Sequence, residues 1–315
     1  MKRSTFPAGL RLVTSALLLA FVSAACSSSS SDGEGIRPPG RTSPIIVGAF
    51  DFSESRVLAD VYAQALRAAG FDATRLPSVG TREIMEPALE QGQIDIVAEY
   101  QGTALTFLNF GEALRSTGAE EIHEALTAGF AARDIAVLDY APARNRNEMV
   151  VTRETAERYG LSTISDLIPI ADELVFGGPP ECPSRPLCLP GLERVYGLTF
   201  ERFEALDSGG PLTVAALDGG EIDVALLFTT NPAIGPRGFK VLKDDRDLQP
   251  AENVVPVVRD RVVESHGAEL VATLNDVTRR LTTPVLRRFN AAVEIQQQEP
   301  AEVAADWLRS EGLSS

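Results

Sequence analysis

The chain carries the same passage twice. Ala88-Leu89-Glu90-Gln91-Gly92-Gln93-Ile94-Asp95-Ile96 returns as Ala216-Leu217-Asp218-Gly219-Gly220-Glu221-Ile222-Asp223-Val224, an offset of 128 residues. At the same offset Ile46-Val47 meets Leu174-Val175. Each copy reads as an apolar strand, then a helix, a glycine turn and an Ile-Asp strand. Two separate segments sharing one offset outweigh coincidence among common turn residues. Alternating strands and helices imply α/β units around a largely parallel sheet. Their repetition implies two similar lobes.

Local patterning fills in the units. A β-rich run covers 45–49, and Ser53 is placed to cap a helix reaching about Ala69. Val57, Leu58, Val61, Tyr62 and Leu66 fall on one face of it, and Gly70 ends it. A helix is expected over 81–90 and a strand over 94–98. After Asp260 the spacing is helical, over 270–281, 285–295 and 301–308, with Trp307 as a core anchor of the last helix. The offset also aligns Tyr100 with Phe228, each just past the C-terminal end of its strand. Open α/β sheets bind ligands in crevices at those ends. Facing lobes would bring both rings to one cleft, where Gln101-Gly102-Thr103 and Thr229-Thr230-Asn231 supply polar groups. The competing placement is in the lobe cores.

Composition removes several functions. Lys plus Arg is 29 and Asp plus Glu is 44, for a formal charge of −15. Nucleic acid needs a basic footprint that this chain lacks. Three cysteines and two histidines leave few ligands for a metal and few nucleophiles. No metal, cofactor or catalytic residue is therefore expected. His123 and His266 lack any nucleophile motif or metal-ligand spacing, which disfavours a secreted enzyme. Lys2, Arg3 and Arg11 precede an apolar run over 12–25, the pattern of a secretory signal and too short for a comfortable membrane span. Val22-Ser23-Ala24-Ala25-Cys26 resembles a bacterial lipobox, in which the cysteine carries the lipid, although Ser23 stands where that pattern usually has Leu. The segment 26–43 is rich in Ser, Gly and Pro and reads as a flexible tether. Removing 1–25 leaves 26 basic against 44 acidic residues. The expectation is an extracytoplasmic chain, lipid-anchored at Cys26 to the outer face of the cell membrane. In that oxidising space Cys182 and Cys188 flank a five-residue loop that could close as a disulfide, the alternative being two free thiols.

The residues 48–54, 92–103, 181–197 and 228–245 resemble the substrate-binding proteins of ABC importers for glycine betaine, choline and carnitine. The resemblance runs from about Pro44 to Leu313. Glu99-Tyr100-Gln101-Gly102-Thr103 resembles the family's acidic-Tyr-x-Gly-Thr signature, and 191–197 its Gly-Leu-x-x-x-Tyr-Gly. Gly177-Gly178-Pro179-Pro180-Glu181-Cys182 looks like an actinobacterial branch.

The resemblance implies a two-lobed, hinged periplasmic-binding-protein fold of type II. It would comprise 44–145 with 253–315 as one lobe and 146–252 as the other, crossing near Asn145 and Asn253. It implies a monomer that traps a small solute, performs no chemistry, and docks on a permease driven by ATPase subunits. A trimethylammonium group donates no conventional hydrogen bond and is held by aromatic faces; a carboxylate tail needs cationic or N–H donors. By resemblance, Tyr100 and Phe228 are cage aromatics, Thr103 a polar neighbour, and Arg185 the arginine that holds or closes over the ligand. The chain departs from the pattern at Glu148 and Glu252, which align with further cage aromatics, and at Phe50, which aligns with a polar residue. Tyr140, near the first crossing, is placed to replace a lost ring. Two carboxylates at the cleft would attract a cation by charge and favour choline-like solutes over betaines unless Arg185 offsets them. A non-betaine polar or aromatic solute in the same trap is the alternative cargo.

Overall fold

The computed structural model describes residues 44–77, 80–110 and 118–314. The signal over 1–25, the tether over 26–43 and Cys26 lie outside them.

Among the described residues ten strands form two five-stranded sheets. The first sheet holds β1 (Ile45–Gly48), β2 (Ala73–Arg75), β3 (Ile96–Tyr100), β4 (Ile135–Val137) and, much later in the chain, β10 (Val254–Arg259). The second holds β5 (Asn147–Val151), β6 (Val175–Gly178), β7 (Arg202–Ala205), β8 (Val224–Phe228) and β9 (Lys240–Leu242). Their orders are β2-β1-β3-β10-β4 and β7-β6-β8-β5-β9. Within each sheet one strand, β10 or β5, runs antiparallel to its neighbours. The sheets are therefore mixed rather than wholly parallel, because the chain enters each of those strands from the other lobe.

The repeat is physical. Asp95 and Asp223 do the same work: each accepts a hydrogen bond from the start of the neighbouring strand, Ile46 N at 3.0 Å and Val175 N at 2.9 Å. The turns before them pass through Gly92 (φ +73) and Gly220 (φ +72), left-handed positions that favour glycine. The first strands are offset by 129 residues, not 128. Val47 pairs with Ile96 as Phe176 pairs with Val224, so one residue separates the two copies between these segments.

Several boundaries move from their expected places for local reasons. Ser53 begins α1 (Ser53–Ala68) inside the helix, with Phe52 at the N-cap, and Ser55 Oγ instead accepts from Phe50 N at 2.9 Å. The strand expected over 94–98 is β3, two residues later, because Asp95 is occupied in fastening β1. The helix expected from 270 begins at Asp260 and breaks at Gly267, and that expected over 285–295 becomes Thr283–Asn290 followed by a π turn. Trp307 is buried edge-on against Phe289, with ring centroids 5.6 Å apart. The C-terminal helices bury their apolar faces on the first sheet's core.

The chain passes between the sheets twice, after β4 and before β10. The two passages lie side by side, joined by an antiparallel bridge between Arg144 and Asn253 and by Asn145 N donating to Glu252 O at 2.9 Å. Helix α3 (Gln101–Leu108), which follows β3, packs its first turn on the second passage. A Cβ on Gly102 would stand 2.5 Å from Pro250 Cγ and 2.8 Å from Ala251 O, so the glycine of the Tyr-x-Gly-Thr signature permits this approach. The Thr103 hydroxyl donates to Glu252. Glu252 is 2% exposed, and burial pushes its carboxyl up to about 7 against the hydrogen bonds from Thr103.

Two outcomes are expected. Gly102→Ala should destabilise the protein by about 1–3 kcal/mol, the usual effect of overpacking, measured by denaturant unfolding. Glu252 binds a proton more tightly folded than unfolded, so its contribution to stability declines as pH rises from its ordinary 4.5 to about 7 and is constant above. Glu252→Gln should remove about 3 kcal/mol of that decline, read as the difference between the two proteins' unfolding free energies at pH 5 and pH 8.

Candidate functional site

Between the two sheets' facing strand ends lies a cavity of about 650 Å³. The first lobe contributes the loop after β1, one face of α2 (Arg82–Glu90) and the start of α3. The second contributes the end of β8 and the loop bounded by Cys182 and Cys188. A helix face repeats every three to four residues, and Arg82, Glu83, Glu86, Pro87 and Glu90 follow that spacing along the wall.

Aromatic rings form one end. Phe52 stands between the lobes, 5.9 Å from Tyr100 and 6.1 Å from Phe228 between ring centroids. Phe50 stacks behind it at 6.1 Å, nearly parallel, and the Arg82 guanidinium carbon lies 5.0 Å from the Phe50 ring centroid. Tyr100 is buried, and its hydroxyl donates to Glu54 Oε1 at 2.7 Å. Burial first, then the neighbouring Glu54 charge, raises its phenol well above the ordinary value, so it stays a neutral ring.

Arg82 donates twice to Glu99, Nε to Oε1 at 2.9 Å and Nη2 to Oε2 at 2.7 Å. Glu99 is the acidic residue of the signature, and its Oε2 also accepts from Tyr100 N at 2.9 Å. Glu86 lines the cavity beside this pair. Burial, then the Glu99 charge, pushes its carboxyl up to about 10, so it is a neutral acid at physiological pH. Arg133 pairs with Glu90 at 3.1 Å.

Arg185 reaches across the cleft from the Cys-bounded loop to α2. Its Nη2 lies 3.0 Å from Glu83 Oε2 and 3.6 Å from Glu181 Oε1, while its Nε is buried without a hydrogen-bond partner. Burial lowers the guanidinium's proton affinity, and Arg82 nearby lowers it further. Cys182 and Cys188 are joined by a disulfide, with Cα atoms 5.3 Å apart. This shapes the loop so that Arg185 faces the first lobe. The Tyr196 hydroxyl of the Gly-Leu-x-x-x-Tyr-Gly motif holds the neighbouring 244–249 segment through Asp244, whose carboxylate also takes Leu248 N and Gln249 N.

Of the residues singled out in the sequence, Phe50, Tyr100, Thr103, Arg185 and Phe228 line this cavity. Tyr140, Glu148 and Glu252 are not on its wall. Tyr140 donates to Glu120 Oε2 at 3.0 Å and packs edge-on against His123. Glu148 is tied to Arg146 at 3.2 Å and to the Thr229 hydroxyl at 3.1 Å. Glu252 lies behind Thr103. Phe52, which the sequence reading passed over, stands on this wall between Tyr100 and Phe228. It follows the C-terminal end of β1, and the strand-end rule that marks Tyr100 and Phe228 marks it equally. Among the described residues no cluster of His, Cys, Asp or Glu is arranged to hold a metal ion, and no helix is long and apolar enough to cross a membrane.

The profile of the substrate binding domain of ABC-type glycine betaine transport systems matches residues 43–310. A glycine-betaine-binding protein of Pseudomonas aeruginosa is 32% identical over 285 residues, spanning 85% of this chain and 88% of its own. A carnitine transport binding protein of Listeria monocytogenes is 25% identical over 269 residues, spanning 84% and 86%. The crystal structure of a glycine betaine/carnitine/choline ABC transporter protein superposes with a TM-score of 0.68 at 27% identity, covering 85% of this chain and 99% of that one. The two-lobed mixed α/β fold is shared with that neighbour, and the chain belongs to the family of substrate-binding domains of ABC-type glycine betaine transport systems.

Proposed function

We propose that this chain captures a small quaternary amine of the glycine betaine, choline or carnitine class in the interlobe cavity and delivers it to an ABC permease powered by ATPase subunits. The observation that carries this reading is the aromatic wall of Phe52, Tyr100 and Phe228, which draws rings from both lobes. A trimethylammonium group is attracted to such faces when desolvated, and closing the lobes supplies the desolvation. The relatives named above carry glycine betaine and carnitine in their names. Arg185 suits a ligand carboxylate, because its buried Nε–H has no partner among the described residues and a charge-assisted hydrogen bond is among the stronger kinds. Its bridge to Glu83 ties the loop of one lobe to the helix of the other and favours the closed form. Anchoring through a lipid at Cys26 would hold the monomeric trap beside its permease on the outer face of the membrane.

Calorimetric titration with glycine betaine, choline and carnitine tests the proposal, with saturable binding of at least one expected. No binding by any of them overturns it. Tyr100→Ala should weaken binding by about tenfold or more, the scale of a desolvated cation–π contact; an unchanged affinity removes Tyr100 from the site. Arg185→Ala should weaken glycine betaine and carnitine, which carry a carboxylate, more than choline, which does not. Equal losses for all three would assign Arg185 to lobe closure alone.

A further inference from the structure

Glu54 lies at the start of α1, behind the aromatic wall, and is 1% exposed. It does not line the main cavity. It borders a smaller pocket that shares Phe52, Asn145, Ser208 and Phe228 with the larger one. Its carboxylate is surrounded by donors from widely separated parts of the chain. Oε1 accepts from the Tyr100 hydroxyl at 2.7 Å and from Asn145 Nδ2 at 2.7 Å. Oε2 accepts from Asn290 Nδ2 at 2.9 Å, and the Thr230 hydroxyl adds a fourth bond. A phenol, two amides and a hydroxyl are all neutral.

That neutrality sets Glu54 apart from the acids that arginines hold near the cleft. Glu99 is matched by Arg82, Glu83 by Arg185, Glu90 by Arg133 and Glu148 by Arg146. Among the described residues Glu54 takes part in no ion pair. Burial raises its carboxyl above the ordinary value while the four hydrogen bonds pull it back. Glu294, the other acid of the small pocket, is pushed up to about 7 by burial and brings no positive charge. Four donors around an acceptor suit the ionised form, yet a buried carboxylate also needs an opposite charge to be at ease. A cation resting on the cavity face of Tyr100, within about 6 Å of the ring centroid, lies one phenol ring from that carboxylate.

We propose that Glu54 is the counter-charge of the binding site, selecting a cationic headgroup over a neutral one of the same shape by acting through the Tyr100 phenol and the water-poor interior rather than by contact. The inference rests on the quaternary-amine reading and names the residue that supplies its charge selectivity. The aromatic faces provide shape and part of the attraction. A bound cation favours the ionised form of Glu54 against the effect of burial, and the opposite charge so held weakens little with salt, because it is buried. The hydrogen bond from Tyr100 also fixes the ring that the cation meets.

The test compares choline with 3,3-dimethylbutan-1-ol, in which a tert-butyl group replaces trimethylammonium, by calorimetry on the full chain. Wild type is expected to prefer choline by at least about tenfold, as a unit charge at this range in an effective dielectric near 20 requires. Glu54→Gln keeps the shape and removes the charge. It should weaken choline by about tenfold or more and change the neutral analogue by no more than about twofold, whereas Glu54→Asp, which keeps the charge, should retain a preference for choline. A purely structural role would move both ligands together. Equal losses for the two ligands, an unchanged choline affinity in Glu54→Gln, or parity of the two ligands in wild type each overturn the proposal, the last without any variant needing to fold. If wild type binds choline and the preference survives Glu54→Gln, only this inference falls. If wild type binds none of choline, glycine betaine and carnitine, the quaternary-amine reading falls and takes this one with it.

Discussion

The cleft wall of the first lobe depends on one buried ion pair. Arg82 and Glu99 meet through two hydrogen bonds, at 6% and 0% exposure. Three segments meet at it: α2 carries the guanidinium, β3 carries the carboxylate, which also accepts from Tyr100 N of the same strand, and Phe50 after β1 lies against the guanidinium. Deleting one partner of such a pair leaves a stranded charge, typically worth about 3–5 kcal/mol. Three carboxyls lie around that single guanidinium, and it forms its ion pair with one of them. Glu99 takes the pair. Glu86 and Glu252 are left to hold protons more tightly, at about 10 and about 7. The interior of this lobe therefore balances its acids with protons as well as with arginine.

The arrangement gives the cavity an unusual division of labour. Its arginines are engaged with acids, and its deepest acid on the wall is neutral. A ligand meets aromatic faces, the Arg185 Nε–H, which has no partner among the described residues, and neutral polar side chains such as Asn145, Asn147 and Ser208. Such a cavity rewards a solute with a diffuse, poorly hydrated positive charge. It suits a strongly hydrated one less, since the aromatic part of the wall returns no hydrogen bonds for the water lost.

Much of this was legible in the sequence, and the reasons are particular. The repeat was visible because Asp95 and Asp223 each fasten a strand end and Gly92 and Gly220 each turn with positive φ, so both copies carry the same residue types at these positions. Tyr100 and Phe228 were visible because the position after a strand is set by backbone geometry. The antiparallel strands β5 and β10 were not, since an apolar run reads alike in either direction. The distances of Glu148 and Glu252 from the cavity wall were not legible either. Which way a side chain turns at a crossing depends on partners such as Thr103, Arg146 and Thr229, and linear spacing does not disclose them. Phe52 was hidden by its neighbours, since a ring beside Ser53 reads first as the edge of a helix cap.

The order of strands has a consequence for how the protein is assembled. β10 sits between β3 and β4, yet it follows all nine other strands in the chain. The second sheet is built from a continuous stretch and can close as soon as β9 has emerged. The first sheet must keep a gap through more than a hundred intervening residues, with the flanks of β3 and β4 unpaired meanwhile. Unpaired flanks invite foreign strands, and pairing across long separations is slow. The lobe made first is thus the lobe finished last, and the period before β10 arrives is when a chain of this topology most needs to be kept from its neighbours.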